Sequence, residues 1–200
     1  HQLHRRQRQM CIRDRIHLMS SFKNAFEQNE IKISQILLTL DDTEQRRRSI
    51  NARRTIDTLL KLGIVPVVNE NDTIATTEIR YGDNDRLASR VAQISSSDCL
   101  ILLSNINGLY SADPTNGEDI KLIPTVNEID QDIEKMIGES ISEYGKGGMK
   151  TKIQAAKTAM LSGCHLAITN GSIMKPIRSL FEGRPCTVSY THLTLPTMEL

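Results

Sequence analysis

Residues 64–72 read Ile64-Val65-Pro66-Val67-Val68-Asn69-Glu70-Asn71-Asp72. An unbroken apolar run without alternation is the pattern of a strand buried on both faces in a parallel sheet. The run ends abruptly in four polar residues. In open α/β sheets, ligands bind beyond the C-terminal ends of the strands, so a polar cluster at that position is a candidate site. Asn and Asp also favour ordinary strand-ending turns. A plain turn does not explain the second acidic stretch that follows shortly after, Gly82-Asp83-Asn84-Asp85. Carboxylates grouped in this way can hold a substrate ammonium, orient a lysine or bind Mg²⁺. Asp83 is also placed to cap a following helix.

Outward from this stretch, strand and helix patterns alternate. Ile16, Met19, Phe22 and Phe26 predict a helix over 16–29, and Ile31 to Leu38 predict a strand. Ile50, Ile56, Leu59, Leu60 and Leu62 lie at helical spacing within 43–62, with Gly63 as the stop. On the other side, Leu87, Val91 and Ile94 predict a helix opening at the Asp83–Asp85 turn, and Cys99 to Leu103 a second buried strand. Residues 104–119 read as loop, 128–137 as a short helix and 138–148 as a glycine-containing loop. A helix carrying Ile153, Ala156, Ala159, Met160 and Leu161 follows, then a strand over His165–Thr169 and a last short helix around Ile177, Leu180 and Phe181. This alternation predicts an α/β fold with a largely parallel sheet.

The glycine loop reads Gly145-Lys146-Gly147-Gly148-Met149-Lys150-Thr151-Lys152. Glycines let the backbone approach phosphates, and the free N–H groups at a helix start point at an anion. Lysine adds a point charge there. The spacing is not that of a Walker loop. The alternative is an ordinary glycine turn with a solvated basic helix end, but lysines at a helix N-terminus oppose its dipole. Between the two motifs lies Gly108-Leu109-Tyr110-Ser111-Ala112-Asp113-Pro114, which is unremarkable by itself and gains meaning only from its position.

Bulk composition is that of an ordinary globular chain: 200 residues, 38% hydrophobic, 24% charged, net charge +1. Nothing in it points to nucleic acid or to a membrane, and no apolar run approaches the ~20 residues needed to span a bilayer. The charge is uneven. Residues 1–15 hold five arginines and one acid, leaving 20 basic and 23 acidic residues in the remainder. The four cysteines, Cys11, Cys99, Cys164 and Cys186, form no CxxC pair. Cys99 and Cys164 sit in apolar runs and are expected to be buried free thiols, which suits a reducing, cytoplasmic setting.

The three motifs in this order resemble the amino acid kinase family, across residues 16–187. Within it, the pattern is most similar to the branch that phosphorylates the side-chain carboxylate of L-glutamate at the start of proline biosynthesis. The resemblance implies a three-layer αβα sandwich with a largely parallel sheet, incomplete at the N-terminus. It implies ATP and Mg²⁺, with no protein residue assigned as a metal ligand. Asp72 and Asn84 would contact glutamate; Asp83 would shape that site, with Asn69 alongside. Ser104 and Asn105 would touch the nucleotide, and Tyr110, Asp113 and Pro114 would lie near the adenine. Lys146, Gly147, Gly148, Met149, Lys150, Thr151 and Lys152 would form the phosphate loop. Lys152 would stabilise the transferring phosphoryl group, with Asp85 orienting the catalytic lysines. A homo-oligomer is implied, with proline a candidate feedback inhibitor acting near the 72–82 loop.

Three departures stand out. Asn105 occupies a position that is usually Asp in the family, and Lys146 and Lys150 replace small residues. The family's first strand, with its own phosphate loop, is not found before residue 16. A chain of this extent is therefore expected to be inactive by itself. Residues 1–15 and 188–200 match nothing in the family and read as foreign or disordered tails. Two other readings stay open: a non-catalytic module binding glutamate or a partner, and a kinase of the same family for acetylglutamate, aspartate or a nucleotide. A basic arm for nucleic acid at 1–15 lacks any aromatic residue for stacking, so nucleic acid is not expected as a partner.

Overall fold

The computed structural model describes residues 2–71, 84–111, 121–127, 129 and 148–189. The chain divides into two compact units, residues 1–87 and 88–200. The fold is α/β, as expected.

In the first unit, helix α1 spans Gln2–Glu27, so the backbone is helical well before the predicted start at residue 16. Strand β1 (Lys32–Leu38) pairs in parallel with β2 (Ile64–Glu70), in register from Lys32 opposite Ile64 to Leu38 opposite Glu70. The crossover between them is helical but broken. A single helix is predicted over 43–62, whereas α2 (Leu40–Glu44) and α3 (Arg46–Lys61) are separated by an extended Gln45. The Asp42 carboxylate accepts hydrogen bonds from the Thr39 backbone N–H at 2.8 Å and from the Thr39 hydroxyl at 2.6 Å, which fixes the start of α2. The break leaves Arg48 within 3.7 Å of Asp41 and 3.6 Å of Asp42. Gly63 ends α3 at φ +69°, and its N–H bonds the Leu60 carbonyl at 3.0 Å. Ile56 and Ala52 are the buried residues of α3, and Leu38 is buried at the end of β1.

The second unit holds α4 (Asn84–Ser95, shared at its first turn with the unit before), and then β3 (Cys99–Ser104). A two-stranded antiparallel ladder joins β4 (Leu109–Tyr110), inside the region 104–119 predicted to be loop, to β5 (Leu122–Ile123). After β6 (Thr125–Val126) come α5 (Gly148–Leu161), β7 (His165–Asn170), α6 (Pro176–Phe181) and β8 (Thr187–Ser189). The predicted helix at 128–137 and most of the loop at 138–148 lie outside the described residues.

The main sheet has the order β3-β7-β8-β6. β3 and β7 are parallel, β6 and β8 are parallel, and β7 and β8 are antiparallel. Strand β8 runs through Val188 and Ser189, past the boundary at 187 drawn from the family resemblance. Ser189 is 1% exposed.

The core is made by small residues on α5 against long ones on the sheet. Ala155, Ala156 and Ala159 bring the helix backbone close to Leu166 and Ile168 of β7, with Leu102, Val126 and Ile153 completing the cluster. Cys99, Cys164 and Cys186 are free thiols. Cys164 is buried as expected, but Cys99 is exposed, because β3 turns its first residue outward.

Candidate functional site

The polar cluster after the 64–68 run begins inside the strand rather than beyond it. Asn69 and Glu70 are the last two residues of β2, both half-buried, and the Asn69 Oδ1 accepts the Glu70 N–H at 2.9 Å. The Asn71 N–H bonds the Leu38 carbonyl at 2.8 Å, extending the ladder by one step. The Arg15 guanidinium donates to the Glu70 carbonyl at 3.0 Å. These bonds fix the backbone at the C-terminal end of β2. Asp72 and Asp83 lie outside the described residues. Asn84 and Asp85, expected in a turn, open helix α4. Asn84 is exposed and Asp85 half-buried, with its carboxylate in the first turn where the helix dipole favours an anion.

In the second unit, Ser104 ends β3 and Asn105 follows it, exposed. The Ser104 hydroxyl donates to the Asn105 Oδ1 at 3.3 Å. Tyr110 is half-buried in β4. Asp113, Pro114, Lys146 and Gly147 lie outside the described residues. Gly148, assigned to the loop, is the first residue of α5, and Lys150 and Lys152 lie at the start of that helix as expected. Met149 packs against the core, so it can offer a ligand only its backbone. Lys150 is exposed, and Thr151 and Lys152 are half-buried. No acid occupies this first turn. Among the described residues, this helix start carries lysines and no acid of its own, a composition that suits a polyphosphate.

Topology brings this helix start to Ser104. Helix α5 packs on β7 and is joined to it by a tight turn at 162–164, so the two run in opposite directions. Fourteen helical residues rise ~21 Å and six strand residues ~20 Å. The N-terminus of α5 is therefore at the C-terminal end of β7. Parallel pairing of β3 with β7 puts Ser104 opposite Asn170 at that same sheet edge.

Three residues that the sequence reading passed over fasten this edge. The Thr187 hydroxyl accepts the Leu109 N–H at 2.7 Å and donates to the Ile123 carbonyl at 2.6 Å. Asn170 and Asn107 pair through their side chains at 3.2 Å. Asn170-Gly171-Ser172 directly follows an apolar strand, the same signal that drew attention to Ser104 and Asn105. Thr187 carries no such signal.

A cavity of about 530 Å³ lies between α1 and β1 and is lined by Arg15, Met19, Lys23, Ile33 and Leu37 among others. None of the candidate residues borders it. No group of three or more His, Cys, Asp or Glu among the described residues could hold a metal ion, and no described helix is long and apolar enough to cross a membrane.

The profile of the amino acid kinase family matches residues 2–170. The chain belongs to the amino acid kinase family. Among curated relatives, it is 60% identical over 172 residues to glutamate 5-kinase of Pelagibacter ubique (strain HTCC1062), covering 86% of this chain and 47% of that protein. It is 53% identical over 172 residues to glutamate 5-kinase of Paramagnetospirillum magneticum (strain ATCC 700264 / AMB-1), covering 86% of this chain and 46% of that protein. The chain thus spans about half the length of the curated relatives it matches. Solved structures carry the same amino acid kinase architecture. UMP kinase from Ureaplasma parvum superimposes with a TM-score of 0.58 at 13% identity, covering 85% of this chain and 65% of that one. A product complex of isopentenyl phosphate kinase from T. acidophilum superimposes with a TM-score of 0.57 at 17% identity, covering 88% and 68%.

Proposed function

We propose that this chain is part of an ATP-dependent kinase that phosphorylates the side-chain carboxylate of L-glutamate to γ-glutamyl phosphate, the first step of proline biosynthesis. The observation that carries the reading is the 60% identity over 172 residues to a protein named glutamate 5-kinase. The helix start at Gly148, with its lysines and without acids, supports it from the chemistry.

A glutamate carboxylate oxygen attacks the γ-phosphorus, and the bond from that phosphorus to the β–γ bridging oxygen breaks, releasing ADP. The nucleophile is already ionised, so no general base is required. Catalysis is then alignment plus stabilisation of charge on the transferring group. Lys152 supplies that charge, and the N–H groups and Lys150 of the same turn hold the phosphates, with Lys146 and Gly147 ahead of them. Ser104, Asn105, Tyr110, Asp113 and Pro114 bind the nucleoside part. Asn69, Asp72, Asp83 and Asn84 bind glutamate, and Asp85 orients the lysines. Mg²⁺ usually keeps several waters and binds through one or two carboxylates plus substrate phosphates, so an ion that arrives with ATP would neutralise its charge. Proline as a feedback inhibitor, a homo-oligomeric state and a cytoplasmic location belong to the same reading. So does the division into a kinase part at 16–187 and foreign tails at 1–15 and 188–200.

The test is Lys152→Ala in a full-length form, with the 172 matched residues completed by the flanks of the Pelagibacter relative. Turnover falls by about 10²-fold or more while ATP affinity changes far less, since the lysine acts on charge that develops in the transition state. Equal turnover in variant and parent overturns the role of Lys152.

A further inference from the structure

We infer that Asn170 is a positioning residue for the nucleotide: from the end of β7 its amide holds the loop after β3 in the shape that presents Ser104 and Asn105 to ATP. The inference rests on the kinase reading above and adds to it a residue to which no role has been assigned.

The argument begins with the amide's orientation. The Ser172 backbone N–H, which can only donate, lies 2.8 Å from the Asn170 Oδ1. That contact fixes the oxygen and leaves Nδ2 on the other side, where it donates to the Asn107 Oδ1 at 3.2 Å. One planar group therefore ties its own turn to the neighbouring strand's loop. Ser is too short to span both partners, and Ala makes neither bond. The backbone reinforces the tie: the Gly171 N–H bonds the Ser104 carbonyl at 2.7 Å. A Cβ at Gly171 would stand 2.9 Å from the Leu103 Cβ, so the turn lies directly on β3. The far side of the loop is fixed independently by Thr187, which holds the Leu109 N–H. The loop is thus held at Ser104 by the Gly171 N–H and at its far end by Asn170 on Asn107 and Thr187 on Leu109. Asn105, exposed between them, can take a defined orientation without touching the core.

The experiment uses the full-length form described above, with steady-state kinetics against ATP at saturating glutamate. Loss of the Asn170–Asn107 bond is expected to raise KM for ATP about tenfold in Asn170→Ala, with kcat within about twofold. Asn107→Ala gives the same change, and the double variant is no worse than either, because both remove one link. Asn170→Asp keeps KM within about threefold of the parent, since it still accepts from Ser172 and the Asn107 amide can turn over to donate to it. A merely structural role would lower the amount of active enzyme, and so kcat, at unchanged KM. Unchanged KM in Asn170→Ala, or effects that multiply in the double variant, overturns the inference while leaving the kinase reading intact. If Asn170→Ala does not fold, Asn107→Ala decides: a raised KM supports the inference and an unchanged one overturns it. A parent without ATP-dependent turnover contradicts the kinase reading itself, and the inference falls with it.

Discussion

At the scale of single residues, the fold around the edge proposed for the nucleotide depends on groups that leave no sequence signature. Thr187 is fully buried, and its hydroxyl is both acceptor and donor between two segments of backbone. Thr187→Val keeps the volume and strands the Leu109 N–H and the Ile123 carbonyl, so it should cost about 2–4 kcal/mol in chemical denaturation. Thr187→Ser should cost far less; equal losses would mean that the methyl, not the hydroxyl, matters. Gly108 faces the same side chain. A Cβ there would collide with the Thr187 Oγ1 and lie 2.8 Å from its backbone nitrogen, so Gly108→Ala should lose about 1–3 kcal/mol through overpacking. Burial pushes the Cys164 thiol above its ordinary value of 9.0, with Cys99 and Asp98 adding to the shift. The folded state therefore disfavours the thiolate. The associated stability is present below the unfolded value and is lost as pH rises through the higher folded one. Stability should fall as pH rises above the ordinary thiol range, and less steeply in Cys164→Ala; identical slopes would exclude this thiol as a source.

At the scale of elements, what the sequence made legible was whatever repeats. The apolar runs at 64–68 and 99–103 are strands, and the spacing of Ile153, Ala156 and Ala159 is that of a helix whose inward face the structure confirms. The two-residue strands β4, β5 and β6 were not legible, since two residues cannot show a period. The break at Gln45 was hidden because Ile50, Ile56 and Leu60 keep helical spacing on one side of it, and Thr39 and Asp42 form a local cap on the other. At the site, Ser104, Asn105 and the Gly148–Lys152 turn could be found from their place after a strand or before a helix. Asn107 and Thr187 act only through partners distant in sequence, and no local pattern reveals such pairs. Element α5 offers a direct check on its packing. Ala155 and Ala159 are fully buried against the sheet, so Ala159→Leu should destabilise by about 1–3 kcal/mol, read as a lower denaturation midpoint at unchanged slope. A neutral result would mean that the helix does not lie as close to β7 as described.

At the scale of the whole molecule, the chain carries the amino acid kinase architecture over residues 2–170 and spans about half the length of its curated relatives. The edge proposed for the nucleotide is assembled within one compact unit, from the ends of β3 and β7 and the start of α5. Of the residues proposed for the second substrate, Asn69 lies at the end of β2 and Asn84 at the start of α4. That division explains why the phosphate chemistry can be argued from packing while the choice of acceptor rests on similarity. The most direct test is therefore acceptor choice. The full-length form is given ATP with L-glutamate, N-acetylglutamate or L-aspartate, and the acyl phosphate is trapped with hydroxylamine. The account predicts ATP-dependent hydroxamate from L-glutamate and little from the other two. Hydroxamate from N-acetylglutamate or aspartate in preference to glutamate would contradict it.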